Sequence, residues 1–273
     1  MDFNFLTQEY PENRFEFIIR TCICDCMIDL FAPKYSVYTG EHIIKLSLCN
    51  KNLNKLIIRK LLKRTYCKMS QVQKFDIIYG RESINCVSDV NTIDDVIFLH
   101  NYQNLKYLQI GDDFDKDIAE NILPKELKEL TFGINFNKII CKNVLPSQIT
   151  ELTFGFEFNQ PIEDTALPQS LKKLYFGNTF SQPINKNTLP KNLTSLSFGC
   201  YFNHSLVGVL PDSLKELSLG RYFNQTLIDV LPKELIMLKI HKIYNHHDSK
   251  KLLSSMFSHM SEDKSLHFLD YKN

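Results

Sequence analysis

Apolar and polar positions along residues 123–245 recur every 21 or 22 residues. Leu-Pro stands at 123–124, 145–146, 167–168, 189–190, 210–211 and 231–232, and each dipeptide opens a unit of the form LPxxLxxLxFGxxFNxxI. The first apolar column is Leu127, Ile149, Leu171, Leu193, Leu214 and Leu235. Three residues on come Leu130, Leu152, Leu174, Leu196, Leu217 and Leu238, and two further on Phe132, Phe154, Phe176, Phe198, Leu219 and Ile240. Side chains two apart leave the same face of an extended chain, so LxF predicts a short strand with one buried face. Equivalent strands at a fixed interval, all running one way, pair with each other in a parallel sheet. One unit cannot bury five apolar residues alone, whereas stacked units share a continuous core. The expected fold is a β-rich solenoid, with extended or single-turn segments behind the sheet because so short a unit leaves little room for a helix.

The remaining columns fit a stack. Proline fixes φ and lacks an N–H, which suits a turn entering the strand. Gly133, Gly155, Gly177, Gly199 and Gly220 follow the strands, where a positive φ and a tight bend are expected. A further aromatic column is Phe136, Phe158, Phe180, Phe202, Phe223 and Tyr244, and a last aliphatic one is Ile140, Ile162, Ile184, Leu206 and Leu227. Asn137, Asn159, Asn203, Asn224 and Asn245, with Ser181 in one copy, follow the aromatic column and predict a stacked polar ladder that Asn159→Ala weakens. A weaker copy precedes the six: Leu105, Leu108, Ile110, Gly111, Phe114, Asp115 and Ile118 keep the columns, with Asn101-Tyr102 in place of Leu-Pro. That makes about seven rungs, roughly 30 Å of stack at the spacing of parallel strands.

Phe158-Asn159-Gln160-Pro161-Ile162, with Phe180-Ser181-Gln182-Pro183-Ile184 in near form, resembles the FNIP repeat, a short leucine-rich-repeat-like unit of the amoebal and giant-virus type. The resemblance covers about half the chain. It implies a leucine-rich-repeat-like binding scaffold and brings no catalytic residues with it.

Residues 1–70 have a different texture. Phe15, Ile18, Ile19, Cys22 and Cys26 are spaced for an amphipathic helix over 13–31, and Leu53, Leu56, Ile57 and Leu61 for another. The run Ile43-Ile44-Lys45-Leu46-Ser47-Leu48-Cys49-Asn50-Lys51-Asn52-Leu53-Asn54-Lys55-Leu56 resembles part of an F-box, although the usual opening Leu-Pro is missing. The resemblance implies docking to the adaptor subunit of a cullin-type ubiquitin ligase. The alternative is a helical N-terminal cap over the first rung. Lys51, Lys55, Arg59, Lys60, Lys63 and Arg64 give the last helix a basic face, which leaves nucleic acid as a less favoured partner than solvent. Residues 71–103 read as a linker or a degenerate rung. Within them Phe75, Ile77 and Tyr79 alternate as in a strand. The solenoid is assigned to 104–245 and a C-terminal cap to 246–273, with a helix from Asp248 to about 260 and a final strand around Leu266, Phe268 and Leu269.

With 44% hydrophobic residues and a net charge of +1, the chain is globular, and no stretch approaches the ~20 apolar residues of a membrane span. No signal-like start precedes the first helix, so an intracellular, cytoplasmic setting is expected (the host cytoplasm for a viral chain), and the eight cysteines read as reduced thiols. Neither Cys22-Ile23-Cys24-Asp25-Cys26 nor the late histidines His241, His246, His247, His259 and His267 have metal-ligand spacing. No metal or other cofactor is expected. Neither a phosphate loop, a dinucleotide fingerprint, a nucleophile elbow nor HExxH is present, so the chain is read as a non-enzyme.

Function then falls to the outward columns on the concave face. Tyr107, Tyr175, Tyr201, Arg221 and Tyr222 are residue types enriched at interface hot spots, and they are the candidate partner-binding residues. Mixed charge along the columns favours a protein or peptide over a polyanion. The expected function is a protein–protein interaction scaffold, with a ligase substrate receptor as its specific form. A structural or vestigial repeat protein is the alternative.

Overall fold

The computed structural model describes residues 67–79, 81–241 and 265–269. All lie in one compact unit, Cys67–Asn273. The helices expected over 13–64, the cysteine cluster at 22–26, the basic face at 51–64 and the helix expected over 248–260 lie outside the described residues.

The order is β1 (Cys67–Lys68), α1 (Met69–Tyr79), a single 3-10 turn (Arg81–Ser83), β2 (Cys86–Val90), α2 (Ile93–Leu99) and β3 (Tyr107–Ile110). Then come β4 (Glu129–Thr131), β5 (Glu151–Thr153), β6 (Lys173–Tyr175), β7 (Ser195–Ser197), β8 (Glu216–Ser218), β9 (Met237–His241) and β10 (Ser265–Leu269). They form one ten-stranded sheet in chain order, every neighbouring pair parallel. Register follows the sequence columns, with Leu108 beside Leu130, Leu152, Leu174, Leu196, Leu217 and Leu238 in turn. The chain is a parallel β-solenoid, and β3–β9 are the seven rungs expected. Leu266 and Phe268 continue the register in β10.

The sheet also runs further back than the repeats do. Cys67 pairs with Val87, and Val87 with Leu108, so the step of about one repeat persists where Leu-Pro is absent. In this region the crossovers carry helices. α2 starts at a capping box, in which Asp95 N–H donates to the Thr92 hydroxyl and Thr92 N–H to the Asp95 carboxylate, both at 3.1 Å. The strand-like alternation of Phe75, Ile77 and Tyr79 proves helical, within α1. Met69, Val72, Phe75 and Tyr79 also recur at three and four residues, and Ile77, 87% exposed, belongs to no buried strand face. Tyr102, standing where the proline should be, is fully buried and donates to Asp76 of α1 at 3.0 Å. The Arg81 guanidinium lies 5.0 Å from its ring centre. Burial and then the Asp76 carboxylate push the Tyr102 phenol up to about 12.

Between β3 and β9 the crossovers contain only turns. Each proline carbonyl accepts from the residue three on, as in Leu171 N–H to Pro168 O at 3.1 Å. The core is two parallel phenylalanine stacks. Rings within a rung lie 3.8–4.0 Å apart by centroid, as in Phe154–Phe158 and Phe198–Phe202, and rings of one column lie 5.4–6.3 Å from the next rung's. The column that begins at Phe132 loses its aromatics at Leu219 and Ile240.

The repeated glycines work differently from expectation. None of them has a positive φ; within the Leu-Pro repeats that conformation falls on Asn121, Asn143, Thr165, Gly208 and Asp229, two residues before a Leu-Pro. What the glycines supply is close approach. A Cβ on Gly155, Gly177, Gly199 or Gly220 would lie 1.7–2.1 Å from the carbonyl oxygen of the preceding rung's glycine. The polar ladder also takes a particular form, running from rung to rung. Asn159 N–H donates to Asn137 Oδ1 at 3.0 Å and Ser181 N–H to Asn159 Oδ1 at 2.9 Å, while Asn224 N–H meets Asn203 Oδ1 at 2.8 Å.

Candidate interaction surface

Side chains that alternate with the buried leucines stand on the other face of the sheet. Tyr107, Glu129, Glu151, Lys173, Ser195, Glu216 and Met237 pair in register as one column. Gln109, Thr131, Thr153, Tyr175, Ser197, Ser218 and Lys239 form the next. Beyond them the glycines mark strand exit, and a turn of two residues follows. Those turns are tied to one another by backbone, Glu157 N–H to Ile134 O at 2.9 Å and Tyr222 N–H to Cys200 O at 3.0 Å. Residues on this edge therefore sit on a rigid frame.

The five candidate residues separate into one cluster and two single positions. Tyr201 and Tyr222 are half exposed, their ring centres 5.2 Å apart and the planes at 31°. The Arg221 guanidinium carbon lies 5.9 Å from the Tyr222 ring centre, within cation–π range. Tyr175 is half-buried on β6, between Thr153 and Ser197. Tyr107 is half-buried on β3, four strands or roughly 19 Å before the tyrosine pair at the spacing of a parallel sheet.

Charge on the face is organised by rung. Lys173 donates to Glu151 at 3.0 Å, and that carboxylate holds the Lys173 ammonium above its ordinary value. The Ser195 hydroxyl donates to Glu216 at 3.1 Å. Partial burial, then repulsion from Glu151, raise the Glu129 carboxyl above the usual range, and the field of Lys173 opposes this only in part. At strand entry Lys106 meets Glu126 at 3.4 Å beside an open polar cavity of about 450 Å³, lined also by His100, Asn101, Asn104 and Lys125.

Sequence reasoning missed Ile134 and Phe156, 49% and 45% exposed on neighbouring rungs immediately after the glycine. The signal was there. That column reads Asp112, Ile134, Phe156, Asn178, Cys200 and Arg221, varied where the preceding column is uniformly glycine. Among the described residues, no group of three His, Cys, Asp or Glu side chains is placed to hold a metal ion. Cys67 and Cys86 are buried, and burial pushes both thiols up to about 12, far from the thiolate that ligation or nucleophilic chemistry needs.

A family model described as FNIP Repeat matches residues 103–134, 118–157, 158–201 and 202–242. Among solved structures, the crystal structure of CroV588, a circular LRR protein, is similar at 45% sequence identity with a TM-score of 0.54. The match covers 60% of this chain and 24% of CroV588, so the chain spans a minor part of that protein's length. No curated protein matches.

Proposed function

Since the chain belongs to the FNIP-repeat family, we propose that it is a non-enzymatic scaffold holding a protein or peptide partner on the outer face and strand-exit edge of its sheet. The observation that carries this reading is the Tyr201–Tyr222 pair with Arg221: large, half-exposed rings on a hydrogen-bonded frame. Ordering such rings on binding loses little conformational freedom, because two χ angles and a fixed backbone are all that must be held. Tyr175 and Tyr107 extend the same surface along the stack. Affinity purification of the full chain followed by mass spectrometry tests it. A stoichiometric partner is expected, and Tyr201→Ala/Tyr222→Ala should lower its recovery at least about tenfold, as loss of a hot spot does. Unchanged recovery removes these residues from the interface.

The specific form of this reading is a substrate receptor of a cullin-type ubiquitin ligase, working inside the cell. It rests on the likeness of residues 43–56 to an F-box. The same purification then recovers adaptor and cullin subunits, and Leu46→Glu/Leu48→Glu in the full chain abolishes their recovery while sparing other partners. Recovery of partners without adaptor or cullin leaves the scaffold alone.

A further inference from the structure

The outer face is not chemically uniform along the stack. Over β4 and β5 the small residues Thr131 and Thr153 and the two glycines form its floor. Glu129 and Glu151 stand at the strand-entry side, and the exposed Ile134 and Phe156 stand at the exit side. Glu157 shares the turn of Phe156, and Asp112 and Asp113 form the turn of the rung before Ile134, all exposed.

Among the described residues, cations answer this charge only at Glu151. Lys173 is engaged by Glu151, Lys128 donates to Gln148 at 2.7 Å, and Lys138 meets Asp115 at 2.9 Å. Among the described residues, no ion pair engages Asp112, Asp113, Glu129 or Glu157. An apolar pair left open to water beside such a rim gains from a partner that covers the one and neutralises the other. Nucleic acid and anionic membranes are repelled by the same rim.

Resting on the scaffold reading and naming the chemistry of its partner, we propose that this part of the face docks a cationic protein segment. An aliphatic or aromatic side chain of that segment packs on Ile134 and Phe156, and a lysine or arginine reaches Glu129 and Glu151. The tyrosine cluster around Arg221 is then a second contact on the same partner.

The probe is a phage-displayed library of random peptides, about a dozen residues long, enough to cross several rungs, panned on the full chain. Enriched peptides should carry Lys or Arg within a few positions of Leu, Ile, Phe or Trp. Synthetic copies, followed by fluorescence anisotropy, should bind about tenfold more weakly to the isosteric Glu129→Gln/Glu151→Gln variant and to Phe156→Ser, and should weaken several-fold between about 0.05 and 0.3 M salt. Thermal melts establish that the variants are folded, and the charge variant keeps the test intact if Phe156→Ser is not. No enrichment, neutral or acidic consensus sequences, or affinities indifferent to both variants overturn the proposal. Peptides whose binding depends only on Tyr201 and Tyr222 overturn it too, and leave the scaffold reading standing.

Discussion

A methyl group on Gly155 would come within 1.7 Å of the Gly133 carbonyl oxygen, and no side chain can move aside to admit it. Adjacent rungs would have to part, straining bonds such as Glu157 N–H to Ile134 O. Gly155→Ala should therefore lower stability by at least about 2–3 kcal/mol, at the upper end of overpacking. Gly208 is the control. It has φ +69° and open space around its Cβ position, so Gly208→Ala should lose only the left-handed backbone penalty of about 1–2 kcal/mol. Thr165 holds the equivalent conformation at φ 68° with a β-branched side chain, which Asn tolerates better. Denaturant titration should show Thr165→Asn more stable by about 0.5–1 kcal/mol. Glu129 gives a pH-dependent case. Its carboxyl is raised in the fold, so its contribution is most favourable below the ordinary carboxylate range and is lost as pH rises through the raised value. Glu129→Gln should accordingly melt higher than the parent at neutral pH, with the difference vanishing near pH 4. A variant that melts lower at pH 7 would show that the charge is already compensated.

At the scale of the element, the polar ladder shows what a repeating sequence reveals and what it hides. The column of asparagines was legible, and so was its ladder character. The bond partners were not, because periodicity fixes which residues stack without fixing which backbone amide each side chain meets. The Oδ1 atoms of Asn137, Asn159 and Asn203 each reach the next rung's N–H and also the amide of the following glutamine, as in Gln160 to Asn137 at 3.0 Å and Gln182 to Asn159 at 3.2 Å. Ser181 breaks the series, and there His204 bridges instead, its Nε2 lying 2.9 Å from Ser181 O. Asn159→Ala removes the acceptor for a part-buried N–H and should lose about 1–3 kcal/mol. Ser181→Asn should raise the melting temperature by supplying the missing rung; an unchanged or lower value would mean that the histidine bridge suffices. The glycine column misled for a related reason. Its residue type fits both a positive φ and a close backbone approach, and only the neighbouring rung decides between them. Before β3 the columns themselves are blurred: Tyr102 replaces a proline and helices fill the crossovers, so β1 and β2 carried little that a repeat-based reading could use.

For the whole molecule, stability is set by contacts between neighbouring rungs, and these are not equal along the stack. From β4 to β7 two phenylalanine columns run side by side, each ring stacked on the next rung's. After Phe198 the column continues as Leu219 and Ile240, leaving one aromatic column from Phe202 to Phe223. The ladder is likewise interrupted between Ser181 and Asn203. Fewer stacked rings mean less dispersion and less apolar area held from water at each later interface. In a one-dimensional stack such differences appear as local opening, because a rung depends chiefly on its two neighbours. Native-state hydrogen exchange should therefore find the Phe154 and Phe176 amides, which donate to Tyr175 O and Ser197 O, slower than the Leu219 amide, which donates to Lys239 O. Gly155→Ala should speed exchange most at the rungs on either side of it, with the effect fading toward β9. Equal rates from β4 to β9, unaltered in their ranking by that substitution, would show that the rungs open together and that the unevenness of the spine has no energetic consequence.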